Sequence, residues 1–260
     1  MRCEAREGVL EELVRLSRRL GDPTLDLVIL AEGNTSARDG ETFWVKASGV
    51  SLHDIGVPGL VQVSLPPCLE ALDGPDLDDA QVRALLARVR LGACGEILPS
   101  VETFMHAYLL TLPGVAFVGH VHPTALLSLL CLQEAESLCS KRLFPDEIVC
   151  CGRENCYVPY TDPGLPLARA IRQQVERFRA RTGETPKILW LQNHGLIALG
   201  GSAAEVESAV LMSVKTARIW LGILGAGGTL TTLSPEQIER IDGRPDEHYR
   251  QRLLWKANPR

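Results

Sequence analysis

The sequence contains no dense run of lysine and arginine and no long apolar stretch. Its 260 residues carry a formal net charge of −5, and the arginines between residues 169 and 181 are spaced like a solvated helix face. Nucleic-acid-binding domains concentrate positive charge on one surface, so the composition argues against a nucleic acid as partner. No stretch approaches the roughly 20 apolar residues of a membrane span, so we predict no membrane association.

The N-terminus lacks the apolar core of a secretory signal, and the cysteines lack the spacing of a disulfide framework. Residues 1–7 mix charges of both signs, and the eight cysteines are spread through apolar segments. Cys150, Cys151 and Cys156 differ in spacing from the paired cysteines of zinc motifs, which favours buried thiols over metal ligands there. We therefore predict reduced thiols and a cytoplasmic protein.

The hydrophobic fraction of 45% is sufficient for one large core, and we predict a single domain over residues 1–260 with a polar tail from about residue 234. Periodicity predicts helices over 8–20, 80–91, 101–113, 124–132, 165–179 and 206–219. It predicts a hairpin within 31–52 and strands over 60–64, 117–122, 147–150, 187–191 and 196–199, with a surface connection over 66–79. Because strands and helices alternate without a strict βαβ rhythm, we predict an α/β protein with one mixed sheet between helical layers.

Two histidines one residue apart, His120 and His122, end the apolar run that begins at Phe117. Alternate side chains of a strand share a face, so both imidazoles should point the same way. Burying an imidazole without a partner costs stability, and a shared metal ion would supply that partner. The pair predicts a metal site at the end of this strand.

His194 is the best candidate for a third ligand, since a catalytic zinc usually has three protein ligands and one open position. It lies where a predicted strand breaks at Asn193–Gly195, and the glycine permits close approach of the backbone. The paired histidines of the strand and the histidine of this turn would then be explained by one metal site.

The remaining histidines compete less well for this role. His106 lies on a predicted helix beside apolar residues, where a histidine is more often a satisfied core residue, although it can still orient a neighbour. His53 lies in a polar loop and His248 in the charged tail.

Glu102 opens the helix that follows Pro99-Ser100. A carboxylate at this position can simply stabilise the helix dipole, and from its position alone that interpretation would be favoured.

Five segments in order along the chain give a resemblance to a known family: 32–38 (Glu-Gly-Asn-Thr-Ser-Ala-Arg), 45–50 (Val-Lys-Ala-Ser-Gly-Val), 99–106 with its Pro-Ser, Glu and His, 120–123 (His-Val-His-Pro) and 193–196 (Asn-His-Gly-Leu). Together they resemble the motifs of the class II aldolase and adducin family over roughly residues 8–225. The resemblance implies a three-layer α/β/α fold around a central, mostly antiparallel sheet. It also implies a homotetramer with active sites at subunit interfaces.

The resemblance also implies roles for individual residues. In metal-dependent members three histidines bind a divalent ion, and they match His120, His122 and His194, with Zn²⁺ expected and cobalt, manganese or iron as alternatives. Glu102 matches a carboxylate that ligates the ion or acts as the catalytic base. Members that take sugar phosphates bind the phosphate at positions that match Gly33, Asn34, Ser48, Gly49 and Ser100, with Lys46 adding a charge nearby. Without the resemblance, these segments would equally well be an ordinary hairpin with polar turns.

Two departures from the family pattern bear on the reaction. Ala47 occupies a position that is usually proline. The tyrosine that donates a proton in sugar-phosphate aldolases is missing from residues 143–147, while Tyr157 could substitute and Tyr160 matches a structural position.

The resemblance therefore implies a metal-dependent aldolase that cleaves a hydroxy-ketone or a sugar phosphate through a metal-stabilised enediolate. An epimerase, a dehydratase or a decarboxylase on the same scaffold is an alternative, and the missing tyrosine argues against a plain sugar-phosphate aldolase. A non-enzymatic adducin-like module is a further alternative, which the presence of all three histidines and of Glu102 argues against.

Overall fold

The structure, a computed structural model, describes residues 2–92 and 97–246, with side chains from residue 8 onward. Its helices are α1 (Arg2–Leu20), α2 (Leu65–Asp73), α3 (Asp79–Val89), α4 (Thr103–Leu109), α5 (Thr124–Leu130), α6 (Ala135–Cys139), α7 (Pro145–Cys151), α8 (Leu165–Thr182), α9 (Ala203–Gly225) and α10 (Pro235–Asp242). Its strands are β1 (Asn34–Asp39), β2 (Thr42–Lys46), β3 (Leu60–Ser64), β4 (Phe117–Val121), β5 (Cys156–Val158), β6 (Ile188–Leu191) and β7 (Gly195–Gly200).

The strands form one sheet in the order β3-β2-β1-β4-β7-β6-β5. The β5–β6 pair is parallel and the other neighbouring strands pair antiparallel. Helices α1, α5 and α9 pack on one face of the sheet, and α2, α4 and α8 pack on the other. The predicted α/β class, with a mostly antiparallel sheet between two helical layers, is confirmed.

The alternation of side chains along β1 assigns residues to these two faces. Thr35 lies toward α1, where its hydroxyl is 2.6 Å from that of Ser17. Asn34 and Ser36 lie toward α4, where both hydrogen bond to His106. Asn34 and Ser36 therefore lie on the face of the sheet that α4 covers, and Thr35 lies on the opposite face.

Two segments differ from the sequence prediction, and in both a proline lies in the first turn of a helix. Residues 66–79 were expected to be a surface connection, but α2 occupies most of that range, and residues 147–150 were expected to be a strand but lie in α7. Proline has no backbone N–H, and the first turn of a helix has no intrahelical partner for one, so each proline starts a helix at no cost in hydrogen bonds. Strand β5 was not predicted, since three residues carry too little periodicity.

Helix α9 is long and apolar enough to cross a membrane, by length and composition only, a feature that the sequence prediction did not recognise. In the fold one side of this helix is buried, and it packs on β4, β7 and α1. Helix α10, at the start of the expected tail, begins with a capping box between Ser234 and Gln237 and buries Ile241. Residue His248 lies outside the described residues.

Candidate metal centre

The ends of three central strands bring His120, His122 and His194 together. His120 is the penultimate residue of β4, His122 directly follows the last residue of that strand, and His194 lies in the turn between β6 and β7. The Nε2 atoms of His120 and His122 are 2.9 Å apart, and the three ring centroids are 4.7 to 5.1 Å from one another. One ligand atom from each ring lies within 4.8 Å of the others, a spacing that a single metal ion can bridge.

Local backbone geometry makes this convergence possible. Asn193 has a positive φ of 54°, a conformation that asparagine tolerates better than most residues, and it turns the chain so that His194 reaches the site. A Cβ on Gly195 would lie 2.7 Å from Cδ2 of His122 and 2.6 Å from the carbonyl oxygen of Val121. Only glycine fits here, as the sequence analysis expected from the close approach.

The hydrogen bond of His120 fixes which of its nitrogens faces the cluster. Its Nδ1 lies 3.0 Å from the carbonyl oxygen of Leu196, an acceptor, so Nδ1 carries the proton and donates it. Nε2 is then unprotonated and presents its lone pair toward His122 and His194. This is the arrangement in which imidazole binds metal ions.

Burial keeps the imidazoles of His120 and His122 uncharged. The pKa of His122 falls to about 3, first because burial disfavours the charged form and then because His120 and His194 lie nearby. The pKa of His120, which is fully buried, is lowered well below its ordinary value, again chiefly by burial and then by the nearby His194. Neutral imidazole is the form that can bind a metal ion.

Glu102 faces the same cluster from the start of α4. Its Oε2 lies 3.4 Å from Nε2 of His120, and its Oε1 lies 3.3 Å from Nε2 of His194. The residue is 7% exposed, and Oε1 is buried without a hydrogen-bond partner among the described residues. Its side chain makes no cap hydrogen bond to α4, so the structure gives it no capping role.

A chain of buried hydrogen bonds leads away from Glu102. Asn34 Nδ2 donates to Glu102 Oε2 at 2.7 Å, and the amide oxygen of Asn34 faces Nε2 of His106 in a short contact. Nδ1 of His106 lies 2.6 Å from the hydroxyl of Ser36. Burial lowers the pKa of His106 to about 4, against the opposing effect of Glu102, so its ring is neutral. The expectation that His106 could orient a neighbour therefore has a partner in Asn34.

Lys46 is 2% exposed and lies behind the loops at the mouth of the cluster. Its Nζ donates to the carbonyl oxygens of Ala31 at 3.0 Å and Val50 at 2.6 Å. Burial lowers its pKa to about 8, although Glu102 opposes the shift. The ammonium thus ties together the two loops that precede β1 and follow β2.

The other residues expected to bind a phosphate lie on or near these loops. Gly33 has φ of +65°, and a Cβ there would lie 2.6 Å from the carbonyl oxygen of His120, so glycine is required. Ser100 accepts hydrogen bonds from Asn34 Nδ2 and from the backbone of Glu102, both at 3.3 Å. Ser48 and Gly49 are exposed, so a ligand can reach them.

The residues present fit a divalent metal ion. Three imidazoles and one carboxylate form a donor set that suits zinc and similar ions. Two buried polar atoms, Glu102 Oε1 and His194 Nδ1, have no hydrogen-bond partner among the described residues. Buried polar atoms normally have partners, so a ligand at this centre would satisfy the carboxylate oxygen.

The cysteines do not form a second centre among the described residues. The six cysteines whose side chains the structure describes are free thiols. Burial raises the pKa of Cys151 and of Cys156 to about 12, and Cys151 Sγ contacts the carbonyl oxygen of Ala209 and the hydroxyl of Ser213. They are core residues, as predicted.

Tyr157 and Tyr160 were considered as proton donors. Among the described residues, no contact directs either tyrosine toward the three histidines. Tyr160 OH donates to Asp162 at 3.1 Å, and its backbone N–H donates to the side chain of Gln192 beside the His194 turn. Tyr157 lies on β5, the edge strand, and burial raises its pKa. Of the two, Tyr160 has the closer link to the candidate centre, through Gln192.

Glu32 and Ser36 lie in the segment 32–38 that carries the family resemblance, but neither residue was predicted to have a role at this site. Ser36 had a signal, because it lies two residues after Asn34 on a strand and so shares its face. No strand spacing pointed to Glu32, because its position beside His122 Nδ1, with Oε2 at 3.8 Å, depends on how the loop before β1 folds.

Most of the chain matches one known protein family. The family model described as Class II Aldolase and Adducin N-terminal domain matches residues 11–221. None of the curated proteins matches the chain.

Several solved structures share the fold. The N-terminal class II aldolase domain of a conserved protein from Thermoplasma acidophilum is 25% identical, with a TM-score of 0.65 over 82% of this chain and 93% of that chain. YgbL from Escherichia coli, provisionally described as an aldolase, epimerase or decarboxylase, is 21% identical, with a TM-score of 0.66 over 92% of this chain and 100% of that chain. L-fuculose-1-phosphate aldolase from Thermus thermophilus is 18% identical, with a TM-score of 0.60 over 86% of this chain and 98% of that chain. At 21% and 18% identity, YgbL and the L-fuculose-1-phosphate aldolase show only that their fold is shared with this chain.

Proposed function

The chain belongs to the class II aldolase and adducin family, and on that premise we propose that it is a metal-dependent lyase that cleaves a carbon–carbon bond in a hydroxy-ketone or a sugar phosphate. The observation that carries the proposal is the convergence of His120, His122, His194 and Glu102 on one point, with a carboxylate oxygen that has no hydrogen-bond partner among the described residues. The same observation argues against an adducin-like scaffold, which would not need this set.

In this proposal His120, His122 and His194 hold a divalent ion, with Zn²⁺ as the expected metal. When bound, the ion would act as a Lewis acid on the hydroxyl and carbonyl oxygens of the substrate and stabilise the negative charge that bond cleavage leaves. The Leu196 carbonyl keeps His120 in the tautomer that has Nε2 free.

Glu102 is the proposed acid–base group. Its Oε2 is held by Asn34, whereas Oε1 has no hydrogen bond within the described chain and is available to take up a proton and return it. Its near-complete burial excludes water that would otherwise compete for that proton. With Oε2 hydrogen-bonded and Oε1 free of such a bond among the described residues, the carboxylate would exchange its proton through Oε1 alone.

The mouth of the centre supports binding of an anionic group. Gly33, Ser48 and Gly49 offer backbone N–H groups or a hydroxyl on two loops, and Ser100 and Asn34 add polar atoms at their base. Lys46, which holds these loops together, places a positive charge behind them. We accordingly place a substrate phosphate or carboxylate at these loops.

The proposal extends to the state of the protein in the cell. Free thiols at all the described cysteines support a cytoplasmic location. The family resemblance supports a homotetramer, which sedimentation analysis of the purified protein will test.

The test is a cleavage assay with Zn²⁺-loaded protein on two panels, ketose 1-phosphates and unphosphorylated hydroxy-ketones, with aldehyde release as the readout. We expect the wild-type protein to cleave a member of one panel and Glu102→Gln to be slower by about 10² to 10⁴, the usual contribution of an acid–base group. Release of carbon dioxide or a change of configuration without aldehyde would instead identify a decarboxylase or an epimerase. No turnover of any kind by the metal-loaded wild type on these panels would count against the proposal.

A further inference from the structure

The three histidines of the candidate centre differ in what contacts the ring nitrogen that faces away from it. Nδ1 of His120 has the carbonyl oxygen of Leu196 at 3.0 Å. Nδ1 of His194 has no hydrogen-bond partner among the described residues. Nδ1 of His122 has a carboxylate beside it, Oε2 of Glu32 at 3.8 Å.

Contacts of the surrounding loop set the position of Glu32. The backbone N–H of Ile29 donates to Glu32 Oε2 at 3.0 Å, and the N–H of His122 donates to the carbonyl oxygen of Leu27 at 2.9 Å. Lys46 Nζ donates to the carbonyl oxygen of Ala31, the residue that precedes Glu32. The loop is thus fastened to the segment that carries His122, and the carboxylate is held on the far side of that ring.

This position excludes Glu32 from the ligand set and gives it a different relation to the centre. Nε2 of His122 points to His120, at 2.9 Å, so the carboxylate faces the opposite nitrogen. An imidazole that binds a cation through Nε2 keeps its proton on Nδ1, and that N–H needs an acceptor. A carboxylate in that place orients the ring and increases the basicity of the ligating nitrogen.

We propose that Glu32 is a positioning residue for His122 and that its carboxylate strengthens binding of a divalent cation by the three histidines. The inference rests on the proposed function, because it assumes that the histidines bind a metal. The side chain of Glu32 is 38% exposed, so it can close the remaining distance to Nδ1 without moving the core. A carboxylate oxygen has more than one lone pair, so Oε2 can accept from Ile29 and His122 together.

The simpler interpretation is that Glu32 only closes its own loop through the Ile29 N–H. Glu32→Gln separates the two roles, because glutamine keeps an oxygen for Ile29 but has no charge. Glu32→Ala removes both. Glu70→Gln removes one charge from an exposed position of α2 and is the matched control.

The experiment measures the dissociation constant for Zn²⁺ by competition with a chromophoric chelator, for wild-type protein and the three variants, beside the unfolding of each metal-free protein in urea. We expect Glu32→Gln and Glu32→Ala to bind Zn²⁺ about 10- to 100-fold more weakly, the usual effect of losing such a partner. We expect Glu70→Gln to stay within about twofold of the wild type, and the metal-free Glu32→Gln protein to unfold at the wild-type urea concentration.

Three results would overturn the inference. Wild-type affinity in Glu32→Gln means that the carboxylate contributes nothing to metal binding. A loss in Glu32→Ala that Glu32→Gln does not share means that the loop hydrogen bond, and not the charge, is responsible. No Zn²⁺ binding by the wild type would reject the proposed function and this inference with it, and so differs from the first two results.

Discussion

Asn34 Nδ2 donates a 2.7 Å hydrogen bond to Glu102 Oε2. This bond determines which groups donate and which accept in the buried hydrogen bonds from Asn34 to His106 and Ser36. A carboxylate only accepts, so Asn34 must present its amide NH₂ to Glu102 and its oxygen to His106. His106 must then carry its proton on Nε2, and its bare Nδ1 accepts from the hydroxyl of Ser36. The Glu102 carboxylate and the tautomer of His106 are therefore linked through the Asn34 amide.

The first prediction concerns Asn34→Asp, which places a second carboxylate against Glu102 in a buried site. Like charges at this distance raise a carboxyl pKa, so the folded state should bind a proton more readily than the unfolded chain does. Relative to Asn34→Ala, the variant should be less stable at neutral pH, by about 1–3 kcal/mol, and the difference should shrink in mildly acidic buffer. Urea unfolding of metal-free protein in the two buffers measures it.

Asn34→Ala serves as the control because it also removes the amide but adds no charge. A gap between the two variants that is the same at both pH values would mean that the repulsion is absent and that the assigned direction of the Asn34 bond is wrong.

The second prediction concerns acid destabilisation through His106. In the unfolded chain this group takes up a proton near its ordinary pKa of 6.5, whereas burial lowers its pKa in the fold to about 4. Between these values the unfolded state binds more protons, so the free energy of unfolding should fall as the pH falls from about 6.5 to 4 and should not change through His106 above that range. The full effect for a shift of this size is about 3 kcal/mol.

The lowered pKa values of His120 and His122 also make the free energy of unfolding fall as the pH falls. The predicted effect of His106 is therefore a difference in the slope of the free energy of unfolding against pH. His106→Gln removes one of these groups, and the free energy of unfolding of the metal-free variant should decline less steeply with acidification through this range than that of the wild type. Parallel pH curves for the two proteins would show that His106 titrates normally in the fold.

The third prediction concerns the glycine between the imidazoles. A Cβ at Gly195 would come within 2.7 Å of His122, so Gly195→Ala should displace this ring and cost about 1–3 kcal/mol of stability. It should also weaken Zn²⁺ binding by about tenfold or more, because ligand geometry is disturbed. Thermal unfolding and the chelator competition assay measure the two effects.

Gly222 is the matched control, since it lies inside α9 and a Cβ there meets nothing within 4 Å. Gly222→Ala should stabilise the protein by about 0.5–1 kcal/mol, because alanine loses less conformational freedom in a helix. It should leave Zn²⁺ affinity unchanged. Equal metal affinity in Gly195→Ala and the wild type would contradict the packing argument.

The sequence allowed prediction of the features that depend on local pattern. The long helices α1, α8 and α9 have strong periodicity, and the β1–β2 hairpin has a turn signal at Arg38–Glu41, so these elements lie where they were expected. Helices α2 and α7 were missed because proline marks both a turn and the first turn of a helix, and the choice between them is made by burial of Cys68 and Ile148.

The residues of the candidate site also divide into those that the sequence predicts and those that only the fold brings together. The clustering of His120 and His122 followed from a strand spacing of two, and the family resemblance supplied the match to Glu102. The partners of these residues did not follow, because Asn34 meets His106 only across the contact between β1 and α4. Glu32 reaches His122 only through the fold of the preceding loop. Such contacts join residues far apart in the chain and leave no local signal.

The most direct test of the account is elemental analysis of untagged protein, purified without chelators, beside its His122→Ala variant. The account predicts about one divalent metal ion per chain in the wild-type protein, with zinc the most abundant, and its loss from the variant. Metal absent from both proteins, or present equally in both, would contradict a centre built on His120, His122 and His194.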